Sequence, residues 1–462
     1  MRGDFSRDSY NPLLNFSRVL MQQGRVQLDA DWNEQVAILL DYMRTLAADL
    51  IGPYGGPQAA LGFQVIADPR AFISALPEEQ RRRLTEELER RDLLDLDGGD
   101  FLIGPGRYYV DGVLCSNGAF EAFTRQPGRR RTDPPRNETR LVFLEVWERH
   151  VSWIEAPDIH DPALGAVDTT TRAQVVWRVR AVNEPIGDVR LPENPTREQG
   201  MEYWDAWLAR ERGIARGTLA ASVAEGAKLD NPCTLSPESR YRGPENQLYR
   251  VEVHRGGTLA GPGEPGGDAP TFKWSRDNGS VAVGVLSARP GRVTVASLGR
   301  EGGLGLSIGS LVELTDDDRD LAGEPGPLFT IADIDSLDMV VSLEGDGAGE
   351  IAADAAFHPL LRRWDGYGEM RAGAPIALED GIQVQFSPGE YRSGDYWLLP
   401  ARTNGGGLLW PRDAEGRPAA LPPHGIVRHY APLATISAGR AITDLRCTIS
   451  PIGCDEDRDG RQ

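Results

Sequence analysis

The sequence predicts a mainly β, multidomain protein with a few helices. It should have β-sandwich and β-barrel bodies, an N-terminal arm plus helix, and a small SH3- or OB-like barrel near residues 291–345. Three observations carry this. Gly and Pro supply 53 and 33 of the 462 residues, which calls for many turns and therefore many short strands. Short apolar runs bounded by turn residues recur from residue 63 onward, several with the period-2 alternation of a half-buried strand. The length suggests roughly two to four domains.

The first 30 residues are irregular, yet Phe5, Tyr10, Leu13, Leu14, Phe16, Val19, Leu20 and Met21 alternate with Arg2, Arg7, Arg18 and Arg25. A disordered tail would not carry so many large apolar groups, so the arm must bury them on its own fold or on a partner. A helix then opens at Asp31, an N-cap candidate with Glu34 three residues on. Val36, Leu39, Leu40, Met43, Leu46, Ala47 and Leu50 form one apolar stripe, expected to pack on the body or on a neighbouring copy, and Gly52-Pro53 ends the helix.

Residues 77–94 read as a short charged helix behind Pro77. Residues 101–103, the Gly104-Pro105-Gly106 turn and residues 108–114 read as a hairpin, and 141–147 and 174–182 as strong strands. Residues 197–228 look helical. The run 247–254 alternates as a half-buried strand, and Asn278-Gly279 suggests a hairpin with a primed turn joining 271–276 to 281–286. The small barrel takes strands near 293–295, 310–314, 328–334 and 339–343. Longer strands return at 382–386 and 395–399. The domains expected are therefore 1–52 (arm and amphipathic helix, for attachment), 53–196 (first β domain with a short helical insertion), 197–243 (helical and loop insertion), 244–290 (hairpin region joining the main β body), 291–345 (barrel), 346–446 (C-terminal β region) and 447–462 (polar tail).

The net charge of −19 repels phosphate backbones and argues against nucleic acid or an anionic membrane as partner. No run of 18 apolar residues exists, and the opening MRGDFSRDSY lacks a signal-peptide core, so synthesis and assembly in the cytoplasm are expected. Cys115, Cys233, Cys447 and Cys454 show no metal spacing. Only Cys447 and Cys454 lie close enough in sequence to suggest a bridge, and free thiols are the expectation in the cytosol.

Catalytic motifs are missing. His424 and His429 are five apart in a Pro-rich loop, not the i, i+4 pair of a zinc helix, and the chain has no nucleophile elbow, P-loop or kinase signature. Gly104 to Gly106 and Gly302 to Gly305 read as turns. Asp316 to Asp320, and Asp455, Asp457, Asp459 and Gly460, could suggest calcium, but the second lacks the closing Glu and both read as solvated acidic segments. The basic run 126–136 reads as a solvated loop, Asn137-Glu-Thr139 as a chance glycosylation match, and most of the ten tryptophans as core, although exposed ones could stack on sugars. No cofactor and no enzymatic activity are expected.

Residues 1–8 (MRGDFSRD) and 16–34 (FSRVLMQQGRVQLDADWNE) resemble the start of an uncharacterised bacterial family. Residues 146–149, 163–165, 168–172, 271–281, 394–402 and 424–434 also look similar to it. That family is found near genes of phage-tail-like extracellular contractile injection systems. The resemblance implies a structural, non-enzymatic component of such a particle: a baseplate-peripheral, fibre or cap-associated subunit that docks through its N-terminal segment. Other particle subunits would be its partners, it would form a homo-oligomer (trimer or hexamer), and the particle would be released or act at a cell surface. The interaction residues expected are Phe5, Arg7, Tyr10, Phe16, Arg18, Met21, Arg25 and Trp32, because apolar anchors and planar guanidinium forks suit interfaces. A glycan- or surface-recognition module is the alternative, and a particle-borne hydrolase a third reading. Deleting residues 1–30 is expected to leave a folded body.

Overall fold

A computed structural model describes all residues except 97, 127–137, 165–167, 225–242, 263–266, 300–304, 404–406 and 451–462. The protein is mainly β, as expected. Among the described residues there are five α-helices: α1 (Asp29–Ile51), α2 (Pro69–Ser74), α3 (Glu78–Arg90), α4 (Arg197–Gly213) and α5 (Asp317–Ala322). The chain divides into two units: residues 1–38, 149–174 and 215–427, and residues 39–148, 175–214 and 428–462. Each collects three separate stretches, so the consecutive segments expected from the sequence do not map one-to-one onto compact units.

In the first unit a five-stranded sheet runs in the order Gly366–Glu369, Thr271–Ser275, Gln247–Arg255, Tyr396–Arg402, Gly407–Leu408. Its core includes Tyr249, Val251, Val253, Phe272, Trp274, Trp397 and Leu399, together with Ile382, Val384 and Phe386 of a second, three-stranded sheet. Alternation along Gln247–Arg255 is real, but the strand is not half-buried. Its even-numbered residues Arg250, Glu252 and His254 are buried too.

The barrel is closed and six-stranded: Ala282–Arg289, Arg292–Val295, Val340–Glu344, Leu328–Asp335, Leu311–Thr315 and Leu360–Trp364. The four strands expected between 291 and 345 are present, but strands before and after that window close the cylinder. Val283, Val293, Val312, Phe329, Val341 and Leu361 fill it. Asn278 and Gly279 have φ of 52° and 63°, as a primed turn requires. The turn does not make the expected hairpin. Thr271–Ser275 pairs with Gln247–Arg255 and Gly366–Glu369, whereas Ala282–Arg289 pairs only within the barrel, so the turn hands the chain from sheet to barrel.

The second unit has a four-stranded sheet in the order Ile442–Asp444, Arg428–Ile436, Arg140–Val151, Arg172–Val182. Its core joins Val142, Leu144, Val146, Val179 and Leu433 to Phe63, Phe101 and Tyr108. On the other face, Phe143 meets Trp204 and Trp207 of α4, which a Thr196/Gln199 capping box starts. The helix does not continue to 228: Leu219–Val223 is a strand of the first unit, because its residues alternate into that core. The hairpin near 101–114 is also different. Leu102–Ile103 pairs with Val65–Ile66 and Glu121–Ala122, and the true hairpin is Gly106–Val110 with Val113–Asn117 across Asp111-Gly112. Thr448–Ile449 pairs in parallel with Tyr54–Pro57, so the polar tail does not begin at 447.

Candidate assembly interface

The arm is anchored by its first residues. Arg2 sends one guanidinium nitrogen to Glu252 Oε1 at 2.9 Å and another to Asp320 Oδ1 at 3.2 Å. Glu252 also receives Arg250 Nε at 2.6 Å and Lys273 Nζ at 3.2 Å, and Lys273 reaches Glu313 at 2.5 Å beneath the Trp364 ring. Asn278 donates to the carbonyls of Met1 (3.2 Å) and Gly3 (2.9 Å), and Arg250 donates to the Met1 carbonyl at 3.2 Å. Thus the charged face of Gln247–Arg255 is covered partly by the chain's own first residues.

Burial opposes ionisation throughout this cluster. Glu252 is nevertheless held well below the usual carboxylate range by Arg2, Arg250 and Lys273, and Glu313 is lowered by Lys273. Arg2 is raised against its own desolvation by Glu252 and Asp320. Two histidines nearby cannot share the charge. Burial, with Arg362 beside it, lowers His150 well below its ordinary value, and burial together with Lys273 lowers His254 to about 4. The buried ions fix where the arm starts, the register-setting use best attested for such networks.

Beyond residue 5 the arm changes character. Arg402 donates to the Ser6 carbonyl, the Ser6 amide to Asp29, Ser9 to Glu34 and the Val19 amide to Gln35, so the arm is tied to the first turns of α1 by polar groups. Its apolar side chains stay outside: Leu13, Leu14, Phe16, Leu20, Met21, Val26 and Leu28 are exposed. The helix continues this surface with Trp32, Val36, Leu39, Leu40, Tyr42, Met43, Leu46 and Leu50. Its opposite face is the one held in place. Ala30 and Ile38 are buried, Arg44 pairs with Glu148 at 2.8 Å, and the Arg44 carbonyl lies against Gly112. The apolar stripe of α1 is therefore not the face packed on the body. The helix also begins at Asp29, two residues before the expected cap, and Asp31 instead accepts the Leu28 amide from within the first turn.

Of the eight interaction residues expected from the sequence, Arg7, Phe16, Arg18, Met21, Arg25 and Trp32 are exposed, while Phe5 and Tyr10 are half-buried. The Phe5 ring sits over Gly3, where a Cβ would come within 2.8 Å of it. Arg2 was missed as the anchor. Its partners lie about 250 and 318 positions away, so no local signal marked it.

Other candidates resolve as structure. Asp316 does not join a calcium loop: it caps α5 by accepting the Arg319 amide, Asp317 pairs with Arg149 and His358, and Asp320 holds Arg2. Among the described residues no group of three or more acidic, His or Cys side chains could hold a metal ion. His424 accepts the Leu398 amide and His429 pairs with Asp111, each within its own unit. Of the ten tryptophans only Trp32 is exposed; Trp153, Trp177 and Trp410 are half-buried and the other six are buried. Most of the basic run 126–136, Asn137, Cys233, Cys454 and the acidic segment from 455 lie outside the described residues. Cys115 and Cys447 are free thiols. Among the described residues no helix is long and apolar enough to cross a membrane.

Fold and surface together define a multidomain β protein that presents an apolar arm and helix. The chain belongs to a family of unknown function, DUF6519, whose model matches residues 1–197 and 198–456. No curated protein and no solved structure matches it.

Proposed function

We propose that this protein is a structural, non-enzymatic subunit of a larger assembly and docks through its N-terminal arm and helix. One observation carries the reading: among the described residues, fifteen of the twenty-six exposed large hydrophobics fall between Leu13 and Leu50. Scattered apolar side chains are normal on a surface, but so dense a concentration marks an interaction site. Burying each is worth roughly 1.5–3 kcal/mol, which an extended arm in water forgoes. In this reading the assembly is a phage-tail-like contractile injection particle, with the chain at the baseplate periphery, on a fibre or beside the cap, and other particle subunits as partners.

The test is co-expression of the tagged chain with sheath and tube subunits of a contractile injection particle from the same genome. The wild type should carry them through affinity purification. A Phe16→Ser/Leu20→Ser/Met21→Ser variant, altered only at exposed positions, should remain folded and lose them. Undiminished co-purification of that variant would remove the arm from the docking role.

A further inference from the structure

On the exposed face of α1, Trp32, Val36, Leu39, Met43, Leu46 and Leu50 follow one another in strictly alternating steps of four and three. That is the 3.5-residue period of a coiled-coil seam, widened on its flanks by the exposed Leu40 and Tyr42. All six are exposed, with Trp32 at 73%, Met43 at 65% and Leu50 at 63%. The run spans 19 of the helix's 23 residues, a little under three heptads. Counting Leu39 and Leu46 as d positions, Val36, Met43 and Leu50 are a positions, and Ala30, Ile38 and Arg44 fall on the opposite face, which is the one already buried or paired.

We infer that this seam packs against the same seam of a second copy of this chain, so that α1 builds a homo-oligomeric helical bundle. This inference rests on the assembly reading above and names its first partner. A period of 3.5 fits another supercoiling helix, because knobs at a and d enter holes of the same spacing. A second copy supplies that spacing by definition, and its matching face is also bare. Charge permits it as well. The chain carries −19, so most of its surface repels a copy, yet the seam has no ionisable group. The flanking e and g positions are Asn33, Leu40, Ala47, Gln35, Tyr42 and Asp49, with one acid among six. Like-charged flanks, the usual device for rejecting an identical helix, are absent there. Size also fits. The helix alone offers eight exposed large apolar side chains, enough for the apolar centre of an interface of about 20–30 residues a side.

Light scattering on the purified full chain, alone, reads the result. The wild type should give a mass at least twice 50.5 kDa, and Leu39→Glu/Leu46→Glu should give 50.5 kDa with an unchanged far-UV circular dichroism spectrum. A short bis-maleimide should also join Met43→Cys chains into dimers on a denaturing gel, and leave Leu337→Cys chains, altered at an exposed barrel residue, as the wild type. A monomeric wild type that still co-purifies with particle subunits would overturn the self-pairing and leave the assembly reading standing. An oligomer unaffected by the double substitution, with no Met43→Cys cross-link, would overturn it by placing the contact elsewhere.

Discussion

Arg2 and the ions around it show how a single side chain can set the start of a functional segment. Glu252 is buried among three cations, and two histidines that feel the surrounding positive charge, His150 and His254, are held neutral. Stability should therefore respond to mild acid. Unfolded, a histidine takes up its proton near pH 6.5, whereas folded His254 stays neutral down to about 4. Between those values the unfolded chain binds more protons, so stability falls as pH falls, by up to about 1.4 kcal/mol per pH unit for each such group. His254→Gln should remove up to about 3 kcal/mol of the loss between pH 6.5 and 4, read as a flatter plot of urea-unfolding free energy against pH. Glu252 acts lower on the scale. Its depressed folded pKa keeps its contribution intact until the pH drops below the ordinary carboxylate range. None of this was legible beforehand. The alternation of 247–254 announced a strand with a polar face, but not that a barrel and the chain's own first residues would cover that face.

At the scale of elements, local grammar was readable and pairing was not. The Pro77-led helix, the stop at Gly52 and the primed Asn278-Gly279 turn were visible because each depends on residues within a few positions. The barrel's closing strands and the partners of Leu102–Ile103 were not, because those contacts join residues far apart in sequence. The seating of α1 is another such contact. Gly112 has φ of +76°, and a Cβ there would lie 2.0 Å from the Arg44 carbonyl, so only glycine lets the Asp111-Gly112 turn support the inner face of the helix. Gly112→Ala combines backbone strain with a collision against main chain and should cost about 2–5 kcal/mol, seen as a lower urea midpoint. Gly118→Ala, with open space around its Cβ, should be near neutral.

For the whole molecule, the arm's two halves behave differently, which the sequence alone left open. Residues 1–3 complete the body, so deleting 1–30 would uncover Glu252 and its cations as well as remove an attachment element. A clean separation of docking from folding needs substitutions beyond residue 10. Of the eight residues nominated from the arm and helix, six are exposed and Phe5 and Tyr10 are half-buried. The 3.5-residue seam was also present in the spacing, but only the observed burial of Ala30 and Ile38 shows that the helix turns its other face inward. The central claim is that the arm and helix are covered when the protein is in its working state. Maleimide labelling of Leu20→Cys, Met43→Cys and Leu337→Cys chains in the assembled state, read site by site by peptide mass spectrometry, tests it most directly. The account predicts slow labelling at 20 and 43 against fast labelling at 337, with the difference abolished in urea. Equal fast labelling at all three positions would contradict it.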